Sequence, residues 1–272
     1  MTDALPLPPG ACDCHMHVFE DRFALAPTAT FKPPHAPAAA YREMQQALGL
    51  TRVVVVQPTG YAFDNRCTLE AMAALGPEAR GIVVVEPDTH EDELARLDGL
   101  GVRGIRYMML PGGVLGWDGL EACSARIDAL GWHIDLQLDG RDLPSREAML
   151  LGLSSRVVID HIGKFLGPTT IESPAFASLC RLLDKGRWWI KLSAPYESSR
   201  AGPPDYADIA PLAAALAARY PERCLWASNW PHPNTRPVPS ERALLAWTDG
   251  CIGDAASRKK ILVDNAAALY RF

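Results

Sequence analysis

The sequence predicts a (β/α)8 barrel, and three observations carry that prediction. Short apolar runs bounded by turn residues occur at 11–18, 52–57, 81–86, 102–107, 133–138, 156–160, 188–192 and 223–227, each of a length suited to a strand. Segments of helical composition alternate with them at 38–48, 65–75, 91–100, 120–130, 145–152, 175–185, 206–220 and 261–270, so crossovers join successive strands and make them parallel. Runs such as Val53-Val54-Val55-Val56 and Ile82-Val83-Val84-Val85 are apolar on both faces, as strands covered by helices are. An open doubly wound sheet is the alternative. No glycine-rich phosphate loop follows the first strand, whose polar cluster is Asp13-Cys14-His15-Met16-His17, so the barrel is preferred.

Taken in order, the strand at 11–18 carries His15 and His17 at i and i+2, which project to one side. Cys12 and Cys14 also share a side and read as small core fillers. A proline-rich loop, 24–37, precedes the first helix. The strand at 52–57 leads into Pro58-Thr59-Gly60-Tyr61. There Tyr61 and Asp64 either reach the pocket or form a plain turn with Asp64 as a cap. The third strand is the Ile-Val run; the fourth ends at Arg106, the fifth at Gln137 and Asp139, and the sixth at Asp160 and His161. The seventh carries Trp188 and Trp189, read as packing residues, and ends at Lys191 and Ser193, with Lys191 read as structural or electrostatic. Ser228, Asn229 and His232 follow the eighth, at the start of a second proline-rich stretch, 231–239. Loops after barrel strands form the catalytic face, so these polar ends converge on one mouth.

The 272 residues suit one barrel domain spanning 1–272, and no internal repeat or linker divides them. The 27 basic and 32 acidic residues are interspersed, for a formal net charge of −5, which leaves no footprint for nucleic acid or an anionic membrane surface. No apolar run approaches the roughly 20 residues of a membrane helix, and the proline-rich segment 1–10 has an acidic residue where a signal peptide carries positive charge. Seven scattered cysteines, an odd number, read as free thiols. The expectation is a cytoplasmic protein acting on a small molecule.

His15, His17 and His161 can present imidazoles to one metal ion or to one carbonyl oxygen. Asp-Cys-His-Met-His at 13–17, Gly-Val-Arg-Gly-Ile-Arg at 101–106, Val-Ile-Asp-His-Ile-Gly at 158–163 and Ala-Ser-Asn-Trp-Pro-His at 227–232 resemble the amidohydrolase superfamily, in the branch that holds 2-pyrone-4,6-dicarboxylate lactonase and the sugar lactonases. The resemblance implies the barrel fold and lactone chemistry. After strand eight that branch usually has Gly-Thr-Asp-Trp-Pro-His, whose aspartate takes a proton from the attacking water. Asn229 stands there in this chain, and an amide cannot act as a general base at neutral pH.

The chain is also similar to the galactarolactone isomerases of this branch, in Met-Leu-Pro-Gly-Gly-Val at 109–114, Gln-Leu-Asp-Gly at 137–140, Tyr-Glu-Ser-Ser-Arg at 196–200 and Asn-Trp-Pro-His at 229–232. Where the dicarboxylate lactonase has a second arginine, a tyrosine and a further arginine for its substrate, this chain has Gly112, Gln137 and Glu197. One remaining arginine, Arg106, suits one carboxylate, and Gln137 and Glu197 suit hydroxyls. The resemblance thus implies His15, His17, His161 and Asn229 as catalytic residues. It implies Arg106, Thr59, Gln137, Tyr196, Glu197 and His232 as contacts to a lactone carrying a carboxylate. No cofactor is expected; a bound zinc would be held by His15, His17 and His161. Isomerisation of a sugar-acid lactone is the first reading, metal-independent hydrolysis the second, and a non-catalytic sugar-acid binding protein the third.

Overall fold

The computed structural model describes residues 5–272, so the first four residues of the proline-rich N-terminal segment lie outside the described residues. Eight parallel strands follow one another around a nearly closed barrel: β1 (Cys12–Met16), β2 (Arg52–Val56), β3 (Ala79–Val83), β4 (Val102–Met108), β5 (His133–Gln137), β6 (Arg156–Ile159), β7 (Trp188–Leu192) and β8 (Cys224–Trp226). Helices cover it in the same order: α1 (Ala38–Leu48), α2 (Arg66–Leu75), α3 (Glu91–Gly99), α4 (Leu120–Asp128), α5 (Leu143–Leu151), α6 (Pro174–Asp184), α7 (Ala210–Arg219), α8 (Glu241–Cys251), α9 (Ala255–Lys259) and α10 (Asn265–Tyr270). The predicted (β/α)8 architecture is therefore the observed one.

Two differences from the sequence expectation have local causes. The apolar run at 81–86 leaves the sheet at Val83, because the Asn65 side chain takes over the backbone of Val84, donating to its carbonyl at 2.7 Å and accepting from its N–H at 3.0 Å. Helix α8 was not anticipated, although Ser240 caps it by accepting from the Ala243 N–H, a start signal hidden behind the proline-rich stretch.

The barrel interior is layered. At its floor Cys12, Cys14, Val54, Ile82, Val158 and Leu225 pack with Leu269 and Tyr270 of α10. Above this dry layer the register between β1 and β2 slips, pairing Asp13 with Val53 but Met16 with Val55. A bulge of this kind turns consecutive side chains toward one face. It lets Cys12 and Cys14 fill the floor while His15 and His17 enter the chamber above. The cysteines are thus core fillers, as read from the sequence.

Asp13 faces the other way and clamps the seam between β1 and the chain after β8. Its carboxylate accepts from the Ser228 N–H at 2.9 Å, the Ser228 hydroxyl at 2.5 Å, the His15 N–H at 3.2 Å and the Tyr41 hydroxyl of α1 at 3.0 Å. Backbone bonds from Asn229 N–H to His15 O and from His17 N–H to the Trp230 carbonyl complete the closure. Removing this carboxylate strands several buried donors, so Asp13→Ala is expected to lower unfolding free energy by about 3–5 kcal/mol, read as a shifted urea midpoint.

Candidate active site

The residues expected at the mouth are brought together there. His15 Nε2 and His17 Nε2 are 3.1 Å apart, and the His15 and His161 rings lie with centroids 5.0 Å apart. His17 Nδ1 is 2.8 Å from the Val56 carbonyl, and His161 Nδ1 is 2.9 Å from the Ser193 hydroxyl. Burial drives the protonation of all three downward. His15 falls well below the usual imidazole range; His17 falls to about 3, with the Arg106 charge adding to burial, and His161 to about 4. At neutral pH the three rings are uncharged hydrogen-bonding groups.

Beneath them lies an ionic layer. Lys191 Nζ contacts both oxygens of Asp135 at 2.8 Å, Asp160 Oδ1 at 3.0 Å and His15 Nδ1 at 2.9 Å, all fully buried. Burial favours neutral Lys191, but the attraction of Asp135 and Asp160 outweighs it and holds the ammonium charged. Burial also opposes ionisation of Asp160, yet the Lys191 charge holds its carboxyl well below the usual range. Asp135 moves upward, through burial and the adjacent Asp160 charge. Lys191 is thus electrostatic, as read, while Asp135 was missed in the sequence. Its signal was the alternation His133-Ile134-Asp135-Leu136-Gln137, which sets three polar residues on one face of an otherwise buried strand.

On one side of the histidines stands Arg106, 5% exposed. Its guanidinium donates to the Gln57 carbonyl at 2.8 Å and to Gln137 Oε1 at 2.7 Å, its Nε has no partner, and no carboxylate among the described residues pairs with it. A pairing with Asp139 or Glu197 is not formed, since Asp139 binds Arg141 and Glu197 binds Lys164. Thr59 lines the small cleft over Arg106 with Met108, Gly112 and Gly113. Gly112, at φ +96°, takes a backbone conformation that a side chain would strain. Tyr61 and Asp64 stay outside: the Tyr61 hydroxyl bonds the Glu20 backbone and Asp64 pairs with Arg66.

On the other side, Asn229 Nδ2 donates to the Tyr196 hydroxyl at 2.9 Å and to Glu197 Oε1 at 3.3 Å. Tyr196 is in turn 2.6 Å from His232 Nδ1, whose Nε2 faces Glu241 at 3.4 Å. Burial alone would raise the Glu197 carboxyl, but His161, Lys164 and the Asn229 amide together bring it below its usual value. Lys164 and Glu241 were not singled out from sequence, because each lies several residues beyond a strand end, where only the fold shows the return. His161, Lys164, Ala194, Asn229 and His232 all adopt positive φ. Such strain, concentrated on one face, is a mark of a functional surface.

The His15, Asp160 and His161 side chains also form the one group among the described residues whose donor atoms crowd closely enough for a metal ion. The Lys191 ammonium is within 3.0 Å of two members of that group, and a dication there would face a fixed positive charge.

Comparison with known proteins agrees with this geometry. The amidohydrolase family profile matches residues 12–272. The chain is 36% identical to D-galactarolactone isomerase of Agrobacterium fabrum, over 97% of this chain and 92% of that one. It is 33% identical to 2-pyrone-4,6-dicarboxylate hydrolase of Comamonas testosteroni, over 97% and 91%. A crystal structure of an apo protein from Agrobacterium tumefaciens superposes with a TM-score of 0.92 at 36% identity, covering 97% of both chains. A barrel of eight parallel strands with histidines at the ends of the first and sixth, matched over nearly its whole length, belongs to the amidohydrolase family.

Proposed function

We propose that this chain isomerises a sugar-acid lactone carrying a carboxylate, by intramolecular acyl transfer and without a metal. The observation that carries the reading is Asn229. The position after β8 holds an amide whose nitrogen is committed to Tyr196 and Glu197, so it supplies no base for water. Arg106 holds the substrate carboxylate, with Thr59 beside it, and Gln137 and Glu197 take hydroxyls. The neutral His15, His17 and His161 face the lactone carbonyl. A hydroxyl of the substrate attacks that carbonyl carbon, the original ring C–O bond breaks, and the proton passes from the attacking to the leaving oxygen. One ring replaces another and no water is consumed. The attacking group is already held at high effective concentration, which for well-oriented intramolecular reactions reaches about 10⁵–10⁸ M. Asn229, Tyr196 and His232 orient the hydroxyls on the far side of the ring.

Hydrolysis is the second reading, favoured by one observation: Glu197 is a partly buried carboxylate held ionised beside Asn229, where it could accept a proton from water. The two readings part in water enriched in oxygen-18: ring exchange leaves the product unlabelled, and hydrolysis places label in the new carboxylate. A cytoplasmic location belongs to this proposal, supported by the seven unpaired cysteines. No helix among the described residues is long and apolar enough to cross a membrane.

A further inference from the structure

The hydrogen positions in the histidine layer are fixed from both ends. At one end His17 Nδ1 lies 2.8 Å from the Val56 carbonyl, which can only accept, so Nδ1 bears the hydrogen and His17 Nε2 offers a lone pair. That lone pair is 3.1 Å from His15 Nε2, which must donate. His15 Nδ1 is then the acceptor: it meets the Lys191 ammonium at 2.9 Å, while Asp160 Oδ1, 3.2 Å from the same nitrogen, forms no hydrogen bond with it. An ammonium has three hydrogens and no lone pair. Here they go to the two Asp135 oxygens and His15 Nδ1, with Asp160 Oδ1 ion-paired 3.0 Å away without a hydrogen bond. The carbonyl at one end and the ammonium at the other require the same tautomer.

We infer that Lys191 is a positioning residue that acts as a built-in cation: it holds His15 with its hydrogen on Nε2, directed into the chamber, and closes the His15–Asp160–His161 cluster to divalent metals. Two features support the second half. His15 has no lone pair left for a metal, since Nδ1 is taken by Lys191 and Nε2 is protonated. Asp160, the one anionic group of the cluster, already faces the ammonium 3.0 Å away, though neither of its oxygens accepts a hydrogen bond. The lysine supplies the positive charge that would otherwise invite an ion.

The test uses the whole protein without substrate, so it stands apart from the ring-exchange reading. In wild-type protein labelled with nitrogen-15 in its histidines, long-range proton–nitrogen spectra should show His15 protonated on Nε2 and His17 on Nδ1. Added zinc should leave the His15 and His161 signals unmoved, and equilibrium dialysis should retain no stoichiometric ion. Lys191→Met, an unbranched side chain one atom shorter and without the charge, should gain zinc affinity by at least ~100-fold. Its cobalt complex should show the visible absorption of a bound ion. Lys191→Met combined with Asp135→Asn removes one of the two carboxylates left unpaired and serves if the single variant does not fold. A wild-type His15 protonated on Nδ1, or stoichiometric zinc shifting His15 and His161 in the wild type, overturns the inference. So does a folded Lys191→Met protein, single or double, with zinc affinity equal to wild type. If neither variant folds, the wild-type spectra and dialysis decide.

Discussion

Asn229→Asp is expected to make a hydrolase of this enzyme, raising the rate of lactone opening about 10²- to 10⁴-fold, the range of a well-placed general base, at the expense of ring exchange. The backbone permits it: Asn229 sits at φ +61°, and aspartate tolerates that region nearly as well. The side-chain environment changes more. The amide that donates to Tyr196 and Glu197 becomes an acceptor facing a carboxylate, which raises the proton affinity of the pair. Combining Asn229→Asp with Glu197→Gln relieves that repulsion and should give the cleaner hydrolase. Steady-state assays of both activities on one sugar-acid lactone check this; an Asn229→Asp protein with unchanged hydrolysis would mean that residue 229 does not meet the attacking oxygen.

The second large effect is at Arg106. A buried guanidinium with two neutral acceptors, an unpartnered Nε and no carboxylate among the described residues is a charge waiting for an anion. Arg106→Met is expected to lower kcat/KM by about 30- to 1,000-fold, which corresponds to about 2–4 kcal/mol, with most of the change in KM. Stability should behave differently. No carboxylate is orphaned by the substitution, and the lost bonds to Gln57 and Gln137 are offset by removal of an uncompensated buried charge, so the melting temperature should stay within a few degrees of wild type. Arg106→Lys keeps the charge without the two-pronged fork and should fall between the two. A large drop in Tm with unchanged KM would make Arg106 a structural residue.

The sequence made the barrel legible because parallel strands covered on both faces leave continuous Val and Ile runs, and because eight of these alternate with helical segments. The site was legible where a polar residue ends such a run, as at Arg106, Gln137, His161 and Asn229. What stayed hidden depends on which way a side chain turns. Strict alternation does not foresee the bulge that sends Asp13 to the seam and His15 to the chamber. Lys191 and Asp135, on strands β7 and β5, become partners only once those strands curve round a common interior. The link from Tyr196 through His232 to Glu241 joins the turn after β7, the loop after β8 and the start of α8, a meeting that spacing along the chain does not encode.

The most direct test of the account is proton NMR of the wild-type enzyme with a sugar-acid lactone bearing a free carboxylate and a second hydroxyl able to close a different ring. Ring exchange predicts that signals of the first lactone decline while those of the second lactone rise in equal measure. The open-chain acid should then grow no faster than without enzyme. Open-chain acid accumulating at the rate at which the lactone disappears, with no second lactone at any time, would contradict it.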